Sequence, residues 1–171
     1  MSFDQLWARG EWREPLQKLI YLYVEANDRP PDVGLVLAQA ALEQMAWHLL
    51  VNDRRVLSRG GFAKLSAADQ LRRLVKTCVI PLDTSSALKH LAGVKTTGTQ
   101  HADGPYWIAR LRNDFVHPPR GGQSARTSGR IVDAWLLSVW YLELALLSLM
   151  GYSGEYRSRL NSGEVSRLPW S

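Results

Sequence analysis

The stretch Leu111-Arg112-Asn113-Asp114-Phe115-Val116-His117-Pro118-Pro119 decides how this chain is read. Ile108, Leu111 and Phe115 recur at helical spacing and make an inner face. Asn113 and His117, one turn apart at about 100° per residue, fall on the opposite, polar face. Arg112 lies nearer the apolar edge, with a stem long enough to run along the helix and bring its guanidinium toward His117. Proline disfavours helical backbone in the residue before it, so Pro118 should end the helix at or just before His117. The imidazole then sits at an exit corner. Upstream, Asp103-Gly104-Pro105 offers a cap and a first-turn proline, which fixes where this helix begins.

Beyond the histidine, the segment from Pro118 to Val132 carries Arg120, Arg126 and Arg130 among glycines and serines, with no acid. A basic loop therefore starts beside His117. The last long helix is predicted from about Arg130 to Met150, with Gly151 as its C-cap. Trp135, Leu136, Val139, Trp140 and Leu146 cover so much of it that one face is expected to meet a second subunit. Asp133 and Glu143 interrupt this longest apolar run, which favours a buried bundle helix over a membrane span.

On the N-terminal side, residues 1–13 read as a short helix or a strapping arm. Pro15 suits a helix start, so a first long helix is expected from about Glu14 to Ala26. Asp32 can cap a second, central helix whose apolar residues extend to Leu50. Asn52 to Lys64 reads as a loop bearing Arg54, Arg55 and Arg59. Ser66 caps a helix from Ala67 to Ile80, stopped by Pro81, and a shorter helix is expected from about Ser85 to Leu91. Gly93 to Asp103 reads as a mobile loop.

No strand shows sustained alternation. The expectation is an all-α, antiparallel bundle of about five main helices. It would occupy residues 14–160, with residues 1–13 as an N-terminal arm and 161–171 as a C-terminal tail. The basic residues Arg157, Arg159 and Arg167 near the end are expected to be solvated. At 171 residues with 46% hydrophobic content, one domain is expected. The single cysteine, Cys78, excludes an internal disulfide and fits a reducing cytoplasm. No signal peptide is evident and no membrane is called for. A net charge of +5 permits an anionic partner such as RNA without requiring one.

The chemistry narrows by elimination and by fit. A glycine-rich phosphate loop, paired cysteines, an H-E-x-x-H pair and a nucleophile elbow are all missing from the sequence. No metal or cofactor is called for. His48, His90 and His101 are scattered, and His48, within an apolar helix, reads as a satisfied core histidine. Metal-free RNA cleavage needs a proton carrier of near-neutral pKa, a cation for the transition-state charge and a donor to position the phosphate. His117, Arg112 and Asn113 match those three roles, because RNA brings its own nucleophile in the 2′-hydroxyl. In the purely structural alternative, Arg112 pairs with Asp114, Asp103 or Glu43, Asn113 caps the helix end, and His117 is a surface residue before a turn.

An arginine, a polar residue directly after it and a histidine four positions on from the second resemble the R-x4-6-H motif of the HEPN superfamily. Here Arg112, Asn113 and His117 fill it. The wording Leu111 to Pro118, the helix around Ala41-Leu42-Glu43-Gln44-Met45-Ala46 and the closing Leu149-Met150-Gly151-Tyr152-Ser153-Gly154 are also similar to HEPN domains. These include the domains at the C-terminal end of ApeA-type antiphage defence proteins. The resemblance implies a dimeric, HEPN-like bundle with a composite site built from two facing motifs. It implies an endoribonuclease that leaves a 2′,3′-cyclic phosphate, in antiphage defence or as a toxin. RNA, transfer RNA included, would be the substrate, with a sensor domain or partner protein as a further associate. Arg120, Arg126 and Arg130 become candidate RNA contacts. Glu43 is a candidate supporting acid or a solvated charge. HEPN-like domains also serve as non-cleaving dimerisation or interaction modules.

Overall fold

The longest apolar run becomes the axis of the molecule. A computed structural model describes residues 3–92, 102–117 and 127–170. Among these residues the chain forms α1 (Phe3–Ala8), α2 (Gly10–Asp28), α3 (Pro31–Trp47), α4 (Arg59–Ala63), α5 (Ala67–Thr77), α6 (Gly104–Val116) and α7 (Ser128–Leu149). A π-helical stretch, His48–Asp53, continues α3, and Tyr156–Arg157 (β1) pairs antiparallel with Val165–Ser166 (β2). The protein is all-α apart from this small ribbon. Five helices, α2, α3, α5, α6 and α7, are eleven residues or longer, matching the number expected.

α7 is long and apolar enough to cross a membrane, yet 67% of its apolar window is buried inside the fold. Its two interior acids are both satisfied by the chain. Asp133 Oδ2 accepts from the His90 backbone N–H at 2.7 Å. Glu143 accepts from the Tyr23 hydroxyl at 2.8 Å and from Arg159 Nε at 3.1 Å. Arg159 is therefore an anchor holding the C-terminal segment to α7, not a solvated tail residue. Two indoles of α7 bond within the chain: Trp135 Nε1 donates to the Ala26 carbonyl at 2.8 Å and Trp140 Nε1 to the Tyr156 hydroxyl at 3.2 Å. Gly34 lets α3 pass this point, since a Cβ there would lie 2.5 Å from Trp135 Nε1 and 2.6 Å from the Ala26 carbonyl oxygen.

Several boundaries differ from the sequence reading. α2 starts at Gly10, and Pro15 lies within it. Trp12 is buried, and Arg9, just before the helix, pairs with Glu11 and Asp53, so tertiary contacts extend the helix past its best local start. Leu6 and Leu168 belong to the same core as the helices, so the expected arm and tail are parts of one packed unit. The expected loop 52–64 contains the end of the π-helical stretch and α4, which Ser58 caps by accepting from Gly61 N. Residues 85–92 form turns in place of the expected helix, with Leu88 N and Leu91 N donating to Ser85 and Leu88 carbonyls. Most of the loop expected from Gly93 to Asp103 lies outside the described residues.

Two helix ends show how local chemistry sets a stop. At α7, the N–H of Tyr152 bonds the Leu147 carbonyl and that of Gly151 bonds Ser148, with Gly151 at φ +61°. This is the Schellman arrangement. α5 ends the same way, through Ile80 N to Val75 O and Val79 N to Lys76 O, but here a valine takes φ +57°. A β-branched residue in the left-handed region costs about 1–2 kcal/mol, only part of which is offset by the greater unfolded-state entropy of glycine. Because Val79 is exposed, Val79→Gly should raise stability by about 1 kcal/mol. Chemical denaturation that found the variant no more stable would refute this.

Candidate active site

α6 is set at both ends as its sequence suggested. Asp103 caps it, accepting from Tyr106 N at 3.0 Å, and Arg72 from α5 grips the same carboxylate through Nε at 2.6 Å and Nη2 at 2.9 Å. Asp103 is buried beside Tyr141, whose hydroxyl donates to the Leu82 carbonyl at 3.2 Å. Gly104 is required here, since a Cβ would sit 2.2 Å from that hydroxyl oxygen. Ile108 and Leu111 are fully buried and Phe115 partly so. At the far end, His117 N donates to Asn113 O at 2.7 Å, and His117 leaves the helix with φ −128° and ψ 81°.

The three motif residues thus lie in the last turn of α6 and at its exit. Asn113 and His117 are exposed, and Arg112 is half-buried. Arg112 Nη1 donates to Asn113 Oδ1 at 3.2 Å. Arg112 Nε is buried and has no hydrogen-bond partner among the described residues. The acids that the purely structural alternative assigned to Arg112 are engaged elsewhere. Asp103 is held by Arg72, Asp114 Oδ1 lies 3.4 Å from Arg110 Nε, and Glu43 accepts from Gln39 Nε2 at 2.7 Å. Asn113 does not act as a helix-end cap through its side-chain oxygen, which instead takes the guanidinium.

Of the candidate RNA contacts, Arg130 sits on the first turn of α7 with its guanidinium carbon 5.5 Å from the centre of the Trp107 ring, a cation–π approach. Arg120 and Arg126 lie outside the described residues, as does His101. Glu43 is half-buried on α3, bonded within its own helix.

Two other histidines occupy environments the sequence did not indicate. His90 has Nδ1 3.4 Å from Asp133 Oδ2, and its ring covers Gly129, where a Cβ would lie 2.5 Å from Cδ2. A partner 43 positions away leaves no local pattern to read. His48 is only half-buried, on the first turn of the π-helical stretch, where Asn52 Nδ2 lies 3.3 Å from its Nδ1. It lines a cavity of about 310 Å³ with Glu14, Pro15, Lys18 and Gln44. Burial holds the His48 pKa below its ordinary 6.5, against the opposing pull of Glu14. A group whose folded pKa is depressed is neutral in the fold, while the unfolded chain takes up the proton first. His48 therefore contributes stability above about pH 6.5 that is lost as pH falls through its folded pKa. His48→Gln should shrink the fall in Tm between pH 7 and pH 5. An unchanged Tm profile would show that His48 plays no part in it.

Among the described residues no group of three or more His, Cys, Asp or Glu side chains is placed to hold a metal ion. What the geometry defines is an all-α domain presenting an Arg-Asn-His cluster where one helix exits. By sequence, the chain belongs to the YopA C-terminal domain family, whose profile matches residues 9–168. It is 30% identical over 165 residues to the SPbeta prophage-derived uncharacterized protein YopA of Bacillus subtilis (strain 168). The match covers 93% of this chain and 36% of that relative, so the chain spans about a third of the relative's length. No solved structure matches it.

Proposed function

We propose that this domain is a metal-independent endoribonuclease of HEPN type, working as a homodimer in which two copies of the α6 exit face each other. What carries the reading is that Arg112 has no carboxylate neighbour among the described residues while touching Asn113, one turn from an exposed imidazole. A cation with no salt bridge among the described residues, on the helix turn that leads to an exposed imidazole, suits a phosphodiester better than it suits a structural ion pair. His117 moves the proton, Arg112 neutralises the scissile phosphate and Asn113 positions it. The 2′-oxygen attacks phosphorus, the bond to the 5′-oxygen breaks, and a 2′,3′-cyclic phosphate and a 5′-hydroxyl result. Arg130, with Arg120 and Arg126, supplies backbone contacts, so cleavage weakens as salt rises. A prophage-derived relative suits a chain acting in the conflict between a cell and its phages.

The test is an oligoribonucleotide beside its all-deoxy counterpart. Cutting of the first and sparing of the second is the expected result. An intact oligoribonucleotide would move the assignment to a non-catalytic interaction module. One observation favours that second reading: Ile20, Tyr21 and Val24 leave an exposed apolar patch on α2, at 40%, 62% and 55% exposure.

A further inference from the structure

From Arg54 to Ala68 the chain carries Arg54, Arg55, Arg59 and Lys64 and no acid. The acids that flank this stretch are both engaged, Asp53 by Arg9 and Asp69 by Arg72. All four cations are exposed, and none makes a salt bridge among the described residues. Arg54 is drawn aside to the Thr77 carbonyl, with Nη1 3.5 Å away. Arg55 and Arg59 instead line one open groove of about 600 Å³, together with Asn52 and Ser58.

The backbone that presents Arg55 is strained. Where the π-helical stretch ends, Arg54 N donates to the Leu49 carbonyl at 2.9 Å and Leu57 N to the Leu50 carbonyl at 3.2 Å. Between them Arg55 takes φ +51°, a left-handed conformation open to glycine and seldom taken by other residues. The position just past a helix end is where glycine is most often found, and this chain places an arginine there. The Arg55 side chain makes no hydrogen bond or ion pair with any described residue, so nothing within the fold accounts for the choice. Strained residues of this kind gather at ligand clamps.

The groove has the chemistry of a phosphate clamp. A guanidinium can grip two phosphate oxygens through parallel N–H bonds, and Asn and Ser side chains commonly join arginines at nucleic-acid backbones. Ser58 Oγ accepts from Gly61 N at 3.0 Å, which leaves its O–H to donate. Next to Arg59, Gly60 has nothing within 4 Å of where a Cβ would stand, so a polymer can come close to the chain here.

We infer that this groove, with Arg55 and Arg59 as its cations, binds the phosphodiester backbone of RNA. The choice of RNA among polyanions rests on the ribonuclease reading, to which the groove adds a surface that holds the substrate.

The experiment follows binding of a fluorescein-labelled, single-stranded 2′-O-methyl oligoribonucleotide by anisotropy across a salt series. The methyl group removes the nucleophile, so binding is read without cleavage. Arg55→Gly/Arg59→Ala should make the slope of log K against log[salt] shallower by about 1.4, two contacts at about 0.7 each, and weaken binding about 20-fold at about 0.1 M salt. Arg157→Ala/Arg167→Ala removes the same charge from exposed positions elsewhere and should keep the wild-type slope. Arg55→Gly alone should lose about half of the slope change, yet its Tm should not fall below wild type because the strain is relieved. That split between binding and stability is one a folding defect would not produce. A wild-type slope in the groove variant, or an equal loss in both double variants, overturns the groove while the ribonuclease reading stands. Polyglutamate that binds more tightly than the oligoribonucleotide, and loses that lead in the groove variant, would make the groove a dock for an acidic protein and overturn its assignment to RNA. Wild-type protein that does not bind the probe also overturns the inference, and cutting of unmodified RNA then decides the ribonuclease reading separately.

Discussion

His117→Ala should lower RNA cleavage by about 10²–10⁴-fold while leaving the fold intact. The range is what a positioned general acid or base contributes. The fold is spared because His117 is exposed at the helix end and its hydrogen bond among the described residues is made by its backbone N–H, a bond the alanine retains. Surface changes of this kind usually stay within about 0.5 kcal/mol. Arg112→Ala should cost about 10²–10³-fold, as loss of a donor to a developing oxyanion does. Arg112→Lys should recover only part, because an ammonium keeps the charge but loses the planar fork that can hold Asn113 Oδ1 and a phosphate oxygen together. The Arg112/His117 double variant should fall little further than the worse single one, since residues acting as a unit are not additive. Single-turnover rates, with Tm determined in parallel, check all four. Activity lost only in step with Tm would make the cluster structural.

Arg72→Ala should destabilise the domain by about 2–3 kcal/mol, toward the lower side of what breaking a buried ion pair costs. Arg72 is about three-quarters covered and grips Asp103 with two bonds while also pairing with Asp69. Its removal strands a buried carboxylate next to the fully buried Tyr141. For a domain of this size the change corresponds to a fall in Tm of about 5–10 °C. Adding Asp103→Asn should restore part of the loss, because asparagine still caps α6 and carries no charge to bury. A double variant no more stable than Arg72→Ala would mean that the buried charge is not the source of the cost. Since this pair holds the start of α6 and the motif lies at its end, cleavage well below Tm should survive in both variants.

How much of this was legible depended on the range of the cause. α6 was readable at both ends because its signals are local: Asp103 caps it, Pro105 enters its first turn, and it ends at Val116 just before His117. The end of α7 followed from Gly151 for the same reason. α2 was misplaced because Pro15 is a good local start, whereas Trp12 burial and the Arg9–Asp53 pair decide the matter from a distance. The π-helical stretch has no sequence signature, and His48, its first residue, lies on a cavity wall instead of in the core. At the candidate site, the spacing of Arg112, Asn113 and His117 placed them on one exit corner. That Arg72 holds Asp103 could not be read, because the two lie 31 positions apart, whereas the Arg110–Asp114 and Gln39–Glu43 contacts are four residues apart on one helix and were open to helical spacing. The pairing of His90 with Asp133, 43 positions apart, could not be read for the same reason.

The most direct measurement is incubation of the wild-type domain and His117→Ala with total cellular RNA in excess EDTA, with the new ends mapped. Cutting that persists in EDTA, leaves 2′,3′-cyclic phosphate ends and is lost in the variant is the predicted result. Wild-type protein that is folded and dimeric yet leaves the RNA whole, or a variant that cuts as well as wild type, would contradict a ribonuclease site built on His117.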